Sequence, residues 1–62
     1  MNNNTYGVNT LNDGYIDVSN TERGAKNYAT RNGYSEVYIR FNSGYCVSLI
    51  ATKEDGIWHS DR

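Results

Sequence analysis

Cysteine and histidine are nearly missing from these 62 residues, which hold one of each, Cys46 and His59. A single cysteine cannot close an internal disulfide, and one thiol with one imidazole falls short of the four ligands of a structural zinc site. Long apolar runs are missing too. No run exceeds three residues, as in Leu49-Ile50-Ala51, far below the roughly 20 residues that span a bilayer, so no membrane insertion is expected. Met1 is followed by polar residues rather than by a charged and then apolar leader, which points to the cytosol. Nor is there an excess of either charge: six Lys and Arg against seven Asp and Glu give a net charge of −1. The field of the whole molecule therefore neither attracts phosphate backbones nor mimics them strongly, and any electrostatic role must be local.

Phosphate and calcium motifs are absent as well. No glycine-bearing stretch has the spacing of a phosphate-binding loop, and "DVSNTERG" and "NDGY" lack the ligand pattern of a calcium loop ending in glutamate.

What remains is a chain with 37% apolar residues, 21% charged residues and six tyrosines, apolar enough to fold. Its length admits one domain, residues 1–62, with the polar "MNNN" start, residues 1–4, expected to be disordered. A domain this small buries only roughly 60% of the surface its unfolded chain exposes. Enclosing a deep pocket would take side chains from a thin core, which favours recognition at the surface.

Two strands are expected first. "TYGVNTL" carries Tyr6, Val8 and Leu11 at near-alternate positions, "YIDV" offers Tyr15, Ile16 and Val18, and Asn12-Asp13-Gly14 between them is a hairpin signal. The stretch "SNTERGAKNYATRNG" reads as a helix. Asn20 or Thr21 caps its start, Glu22 and Arg31 suit the two ends of its dipole, and Gly33 supplies a left-handed stop. Ala25, Tyr28, Ala29 and Asn32 recur at i, i+3, i+4 and i+7 and mark the inner face. Gly24 and the alanines let this helix lie close to a sheet.

"SEVYIRF" alternates Val37, Ile39 and Phe41 against Glu36, Tyr38 and Arg40, the pattern of a half-buried strand. Its hairpin with "YCVSLIA" has two possible registers. A three-residue loop over Asn42-Ser43-Gly44, with Gly44 left-handed, pairs Phe41 with Tyr45, Ile39 with Val47 and Val37 with Leu49. A two-residue loop pairs Ile39 with Ser48 and Arg40 with Val47, splitting the apolar set. The register rule favours the first, leaving Tyr38, Arg40, Cys46, Ser48 and Ile50 on the open face. In "KEDGIWHSDR", Asp55-Gly56 is a type I′ signal that pairs Glu54 with Ile57 and Lys53 with Trp58, setting Trp58 on the core face with Val47, Leu49 and Ala51. A loop wider by one residue turns Trp58 outward. The expected fold is α+β, one helix on an antiparallel sheet of four to five strands in ββαβββ order.

Catalytic constellations are hard to assemble from this set. His59, Ser60 and Asp61 tempt a triad, but neighbours in an extended segment point to opposite faces, and chain ends are mobile. Cys46, with only Arg40 as a same-face cation, reads as a half-buried structural thiol. No catalytic residue, metal or cofactor is expected, and the chain is read as a binding protein rather than an enzyme.

The six tyrosines cannot all fit a thin core, and exposed tyrosine provides contact area at low entropic cost. The partner-binding set is read as Asp13, Tyr15, Asp17, Glu36, Tyr38, Arg40, Glu54 and Asp55, an acidic and aromatic surface suited to a basic groove that normally holds nucleic acid. The competing reading is ordinary solubilising charge with core tyrosines. A further alternative, a small nucleic-acid-binding or host-regulatory protein, would use Tyr38 and Arg40 as a stacking platform for single strands.

Three segments, "MNNNTYGVNTLNDGYIDV", "TERGAKNYATRNGY" and the closing "SLIATKEDGIWHSDR", together resemble the small phage anti-CRISPR proteins, most closely the inhibitors of type I-C surveillance complexes. The resemblance implies a stoichiometric inhibitor in the cytoplasm of the bacterial host, a monomer that binds type I-C Cascade at the large subunit that recognises the PAM, without touching nucleic acid itself. Members of this group often present acidic side chains in place of phosphates. The weak net charge of this chain favours steric blocking with some acidic contacts.

Overall fold

A computed structural model describes residues 4–44 and 46–60. Five strands and one helix follow in the order β1 (Thr5–Thr10), β2 (Gly14–Ser19), α1 (Glu22–Asn32), β3 (Glu36–Arg40), β4 (Val47–Glu54) and β5 (Ile57–Ser60). All pairings are antiparallel, in the spatial order β2-β1-β3-β4-β5, and α1 lies across one face. The α+β fold read from the sequence is the one found. Of the "MNNN" start, residues 1–3 lie outside the described residues, while the Asn4 side chain accepts a hydrogen bond from the Asn42 amide at 3.0 Å.

The helix boundaries follow from local chemistry. Thr21 is extended and its hydroxyl accepts from the Gly24 amide at 3.1 Å, satisfying one free donor of the first turn. Gly33, at φ 80, closes the other end in the left-handed region. Ala25 and Ala29 are buried completely, and their small side chains let the helix approach Val8, Val37, Ile39, Ile50 and Ala51 of the sheet. Tyr28 packs at the margin of this core. Asn32, placed on the inner face from its spacing, is instead exposed and donates its side-chain amide to the Tyr28 carbonyl at 2.9 Å, a local bond that outcompetes burial of a polar group.

Two expectations about the apolar set are corrected. Leu11 does not extend β1. It sits in the turn and is fully exposed, because Thr10 pairs with Gly14 and the Thr10 hydroxyl ties the loop together, donating to the Gly14 carbonyl and accepting from the Asp13 amide. The β3–β4 register also differs. Ile39 faces Ser48, Arg40 faces Val47 and Tyr38 faces Leu49. The reason lies in the connection: Phe41–Ser43 forms a 3-10 turn with Asn42, not Gly44, in the left-handed region. The pairing of Phe41 with Tyr45 lies outside the described residues. A bulge between Val37 and Tyr38 then resets the ladder to Val37 with Ala51. By this device Ile50 and Ala51 both reach the core, while Val47 and Leu49 turn away from the helix.

The last hairpin forms as read. Asp55 and Gly56 both have positive φ, Lys53 pairs with Trp58 and Glu54 with Ile57. Trp58 is half-buried beside the core, its indole nitrogen donating to the Thr30 hydroxyl at 3.3 Å, with the Lys53 ammonium 5.9 Å from the ring centroid. Ser60 reaches Glu22 at 3.2 Å, so β5 is tied to both halves of the helix.

Candidate interaction surface

The helix covers one face of the sheet and leaves the other open. On that open face, alternation places Thr5 and Asn9 of β1, Tyr15 and Asp17 of β2, and Glu36, Tyr38 and Arg40 of β3. Across the β3–β4 and β4–β5 ladders it continues through Val47, Leu49, Thr52, Glu54, Ile57 and His59. Six of the residues selected from sequence, Tyr15, Asp17, Glu36, Tyr38, Arg40 and Glu54, therefore share one surface. The other two do not join them: Asp13 lies in the β1–β2 turn and Asp55 in the β4–β5 turn. Because β1 and β4 both run antiparallel to β3, these two turns lie at the same end of the sheet.

Gly7 is the empty centre of one half of this surface. It pairs with Asp17 on one side and Tyr38 on the other, and a Cβ there would meet the Ile16 carbonyl oxygen at 1.9 Å and the Tyr15 ring at 2.9 Å. The missing side chain lets Tyr15 lie over β1, edge-on to Tyr38 with ring centroids 6.5 Å apart and planes at 83°. Below the rings, Asp17 accepts a forked pair of bonds from Arg40 Nε (3.2 Å) and Nη2, and a third from the Thr5 hydroxyl at 2.8 Å. Arg40 Nη1 also donates to the Gly44 carbonyl at 3.3 Å.

These contacts shift the local acidities. Burial alone would raise the Asp17 pKa, but the bonds from Arg40 and Thr5 outweigh it and hold the carboxyl below its usual range. The Tyr15 hydroxyl is buried without a hydrogen-bond partner, and burial, with the Asp17 carboxylate beside it, pushes its pKa up to about 12. Tyr38 moves the same way, through burial and through its 3.1 Å bond to Glu36.

The other half of the surface, of which the sequence reading selected only Glu54, groups three exposed apolar side chains beside Thr52, Glu54 and His59. Val47 is 39% exposed, Leu49 37% and Ile57 61%. The outward turn of Ile57 is implicit in its position beside Trp58, whereas that of Val47 and Leu49 depends on a bulge that no local pattern announces. Cys46, read as half-buried, is exposed and precedes β4, because the long connection ends only at Val47. His59 and Ser60 point to opposite faces, His59 opposite Thr52 on the open side and Ser60 toward the helix. Asp61 lies outside the described residues. Among the described residues no cluster of three or more His, Cys, Asp or Glu side chains is placed to hold a metal ion, and no helix is long and apolar enough to cross a membrane. Comparison with protein-family models, curated proteins and solved structures returned no match.

Proposed function

We propose that this chain is a protein-binding inhibitor of the anti-CRISPR kind, which docks as a monomer on type I-C Cascade in the cytoplasm of the bacterial host. There it occupies the large subunit that reads the PAM and keeps target DNA out. The observation that carries the binding reading is the open sheet face, where Tyr15, Tyr38 and Glu36 adjoin the exposed Val47, Leu49 and Ile57. A soluble monomer rarely leaves apolar side chains grouped on one face unless a partner covers them. The resemblance of the sequence to type I-C inhibitors supplies the identity of that partner.

A direct nucleic-acid role has less support, since the cation it needs is already engaged. Arg40 is forked onto Asp17, and a guanidinium neutralised in this way adds little attraction for phosphate. Size-exclusion co-elution with purified type I-C Cascade, followed by labelled target duplex, tests the proposal. Co-elution with loss of duplex binding is expected. A complex that forms and still takes up duplex at full affinity rules out blocking, and failure to co-elute rules out the partner.

A further inference from the structure

A concave feature lies away from the open sheet face. Between the β1–β2 turn and the C-terminal part of α1 there is a cleft of about 370 Å³, lined by Leu11, Asp13, Ile16, Tyr28 and Tyr34 with Thr10 and Asn12 at its edge. The Tyr28 and Tyr34 rings are parallel to within 6°, with centroids 6.4 Å apart. Leu11 stands on the rim wholly in water, so a ligand that covers it removes apolar surface from water.

The chemistry of the walls is one-sided. None of the lining residues is cationic, and the Asp13 carboxylate has no hydrogen bond or ion pair to any described residue, its backbone amide alone being tied to Thr10. The nearby last turn of α1 combines the negative end of the helix dipole with Arg31, which does not line the cleft. The geometry points to an arginine side chain of the protein partner as the occupant of this cleft. Its guanidinium would lie against the tyrosine faces and bond Asp13, while its methylene stem covers Leu11 and Ile16. An apolar side chain would leave Asp13 unpaired, and a phosphate would meet a carboxylate. This inference rests on the reading of the chain as a partner-binding module and names a contact separate from the sheet face.

The test uses the whole chain, isotope-labelled, titrated with the blocked tripeptide acetyl-Gly-Arg-Gly-amide and followed by amide chemical shifts. Saturable shifts are expected at Leu11, Asp13, Tyr28 and Tyr34, with a dissociation constant in the millimolar range. Asp13→Asn in the protein, or citrulline for arginine in the peptide, should weaken binding about tenfold, the loss of one charge-assisted contact. Shifts that are absent or fall elsewhere overturn the assignment, as does an equal response to the citrulline peptide, which would make the cleft an apolar site for uncharged ligands. In Cascade binding, Asp13→Asn and Tyr34→Ala should each weaken the complex, and undiminished affinity in both overturns the use of the cleft for that partner. If the peptide titrates while the wild-type chain fails to co-elute with Cascade, the choice of partner falls and the cleft assignment stands.

Discussion

Asp17 and Arg40 stand 23 residues apart in sequence and meet across β1, the strand that separates theirs, with Thr5 of β1 donating to the same carboxylate oxygen as Arg40 Nε. One carboxylate thus ties three neighbouring strands together on the face that no helix covers.

This clamp gives an acid dependence of defined sign. Asp17 has a folded pKa below its unfolded value, so its contribution is fully present above the unfolded carboxylate range, about pH 4, and is lost as pH falls through the lower folded value. Asp17→Asn should be less stable than wild type at neutral pH, and the gap should close as the solution is acidified. Urea unfolding at a series of pH values, read by Trp58 fluorescence, measures this. A constant gap across the series would contradict it.

Tyr15 makes the opposite case at high pH. Its pKa is raised from 10.0 to about 12, so the fold favours the neutral phenol. The associated stability is present below pH 10 and disappears as pH climbs through 12. Tyrosinate absorbance should show a component near the top of this range that vanishes in Tyr15→Phe. Because the hydroxyl is buried without a partner, removing it should leave stability at neutral pH unchanged or raise it by about 1 kcal/mol.

Gly7→Ala should be far more damaging than its size implies. The added Cβ would sit 1.9 Å from the Ile16 carbonyl oxygen, a backbone atom held by the β1–β2 ladder, so the strands themselves must part. A cost of about 3 kcal/mol is expected, a large share of the stability of so small a domain. Thermal melting should show a lowered midpoint or no cooperative transition. Gly56→Ala is a fair comparison: its φ of +79 gives strain but nothing lies within 4 Å of the added carbon, so the loss there should be nearer 1 kcal/mol.

The contrast between the two hairpins of the C-terminal half shows where sequence is legible. Asp55-Gly56 encodes its turn in two residues that tolerate positive φ, so the partners of Lys53 and Glu54 follow at once, as does the inward turn of Trp58. The α1 boundaries are equally local, written in Thr21 and Gly33. The β3–β4 connection is not. Asn42-Ser43-Gly44 satisfies the rule for a short hairpin, but Asn42 takes the left-handed position and the loop lengthens. The register is then decided by the core, which takes Ile50 with Ala51 through a bulge at the expense of Val47 and Leu49. Since the apolar half of the open face consists largely of residues displaced in this way, it could not be read from alternation alone. The polar half could, because Tyr15, Asp17, Glu36, Tyr38 and Arg40 lie in strands whose phase is set by Val8, Val37 and Ile39.

If the open face is where the partner docks, Leu49 and Ile57 are its apolar anchors, and their mutation separates binding from folding. Neither side chain belongs to the buried core cluster, so Ile57→Ser should change stability by no more than about 0.5 kcal/mol and Leu49→Ser, the more covered of the two, by about 1 kcal/mol. Each should nonetheless weaken Cascade binding by about tenfold, as the loss of a covered apolar anchor does at protein interfaces. Ile39→Ala offers the converse. Ile39 is 3% exposed on the helix side, so its truncation should lower stability by about 2 kcal/mol or more while leaving the affinity of the folded fraction intact. Calorimetric titration against Cascade, paired with urea unfolding of each variant, distinguishes the two patterns. Undiminished binding by the Leu49 and Ile57 variants would move the contact surface away from this face.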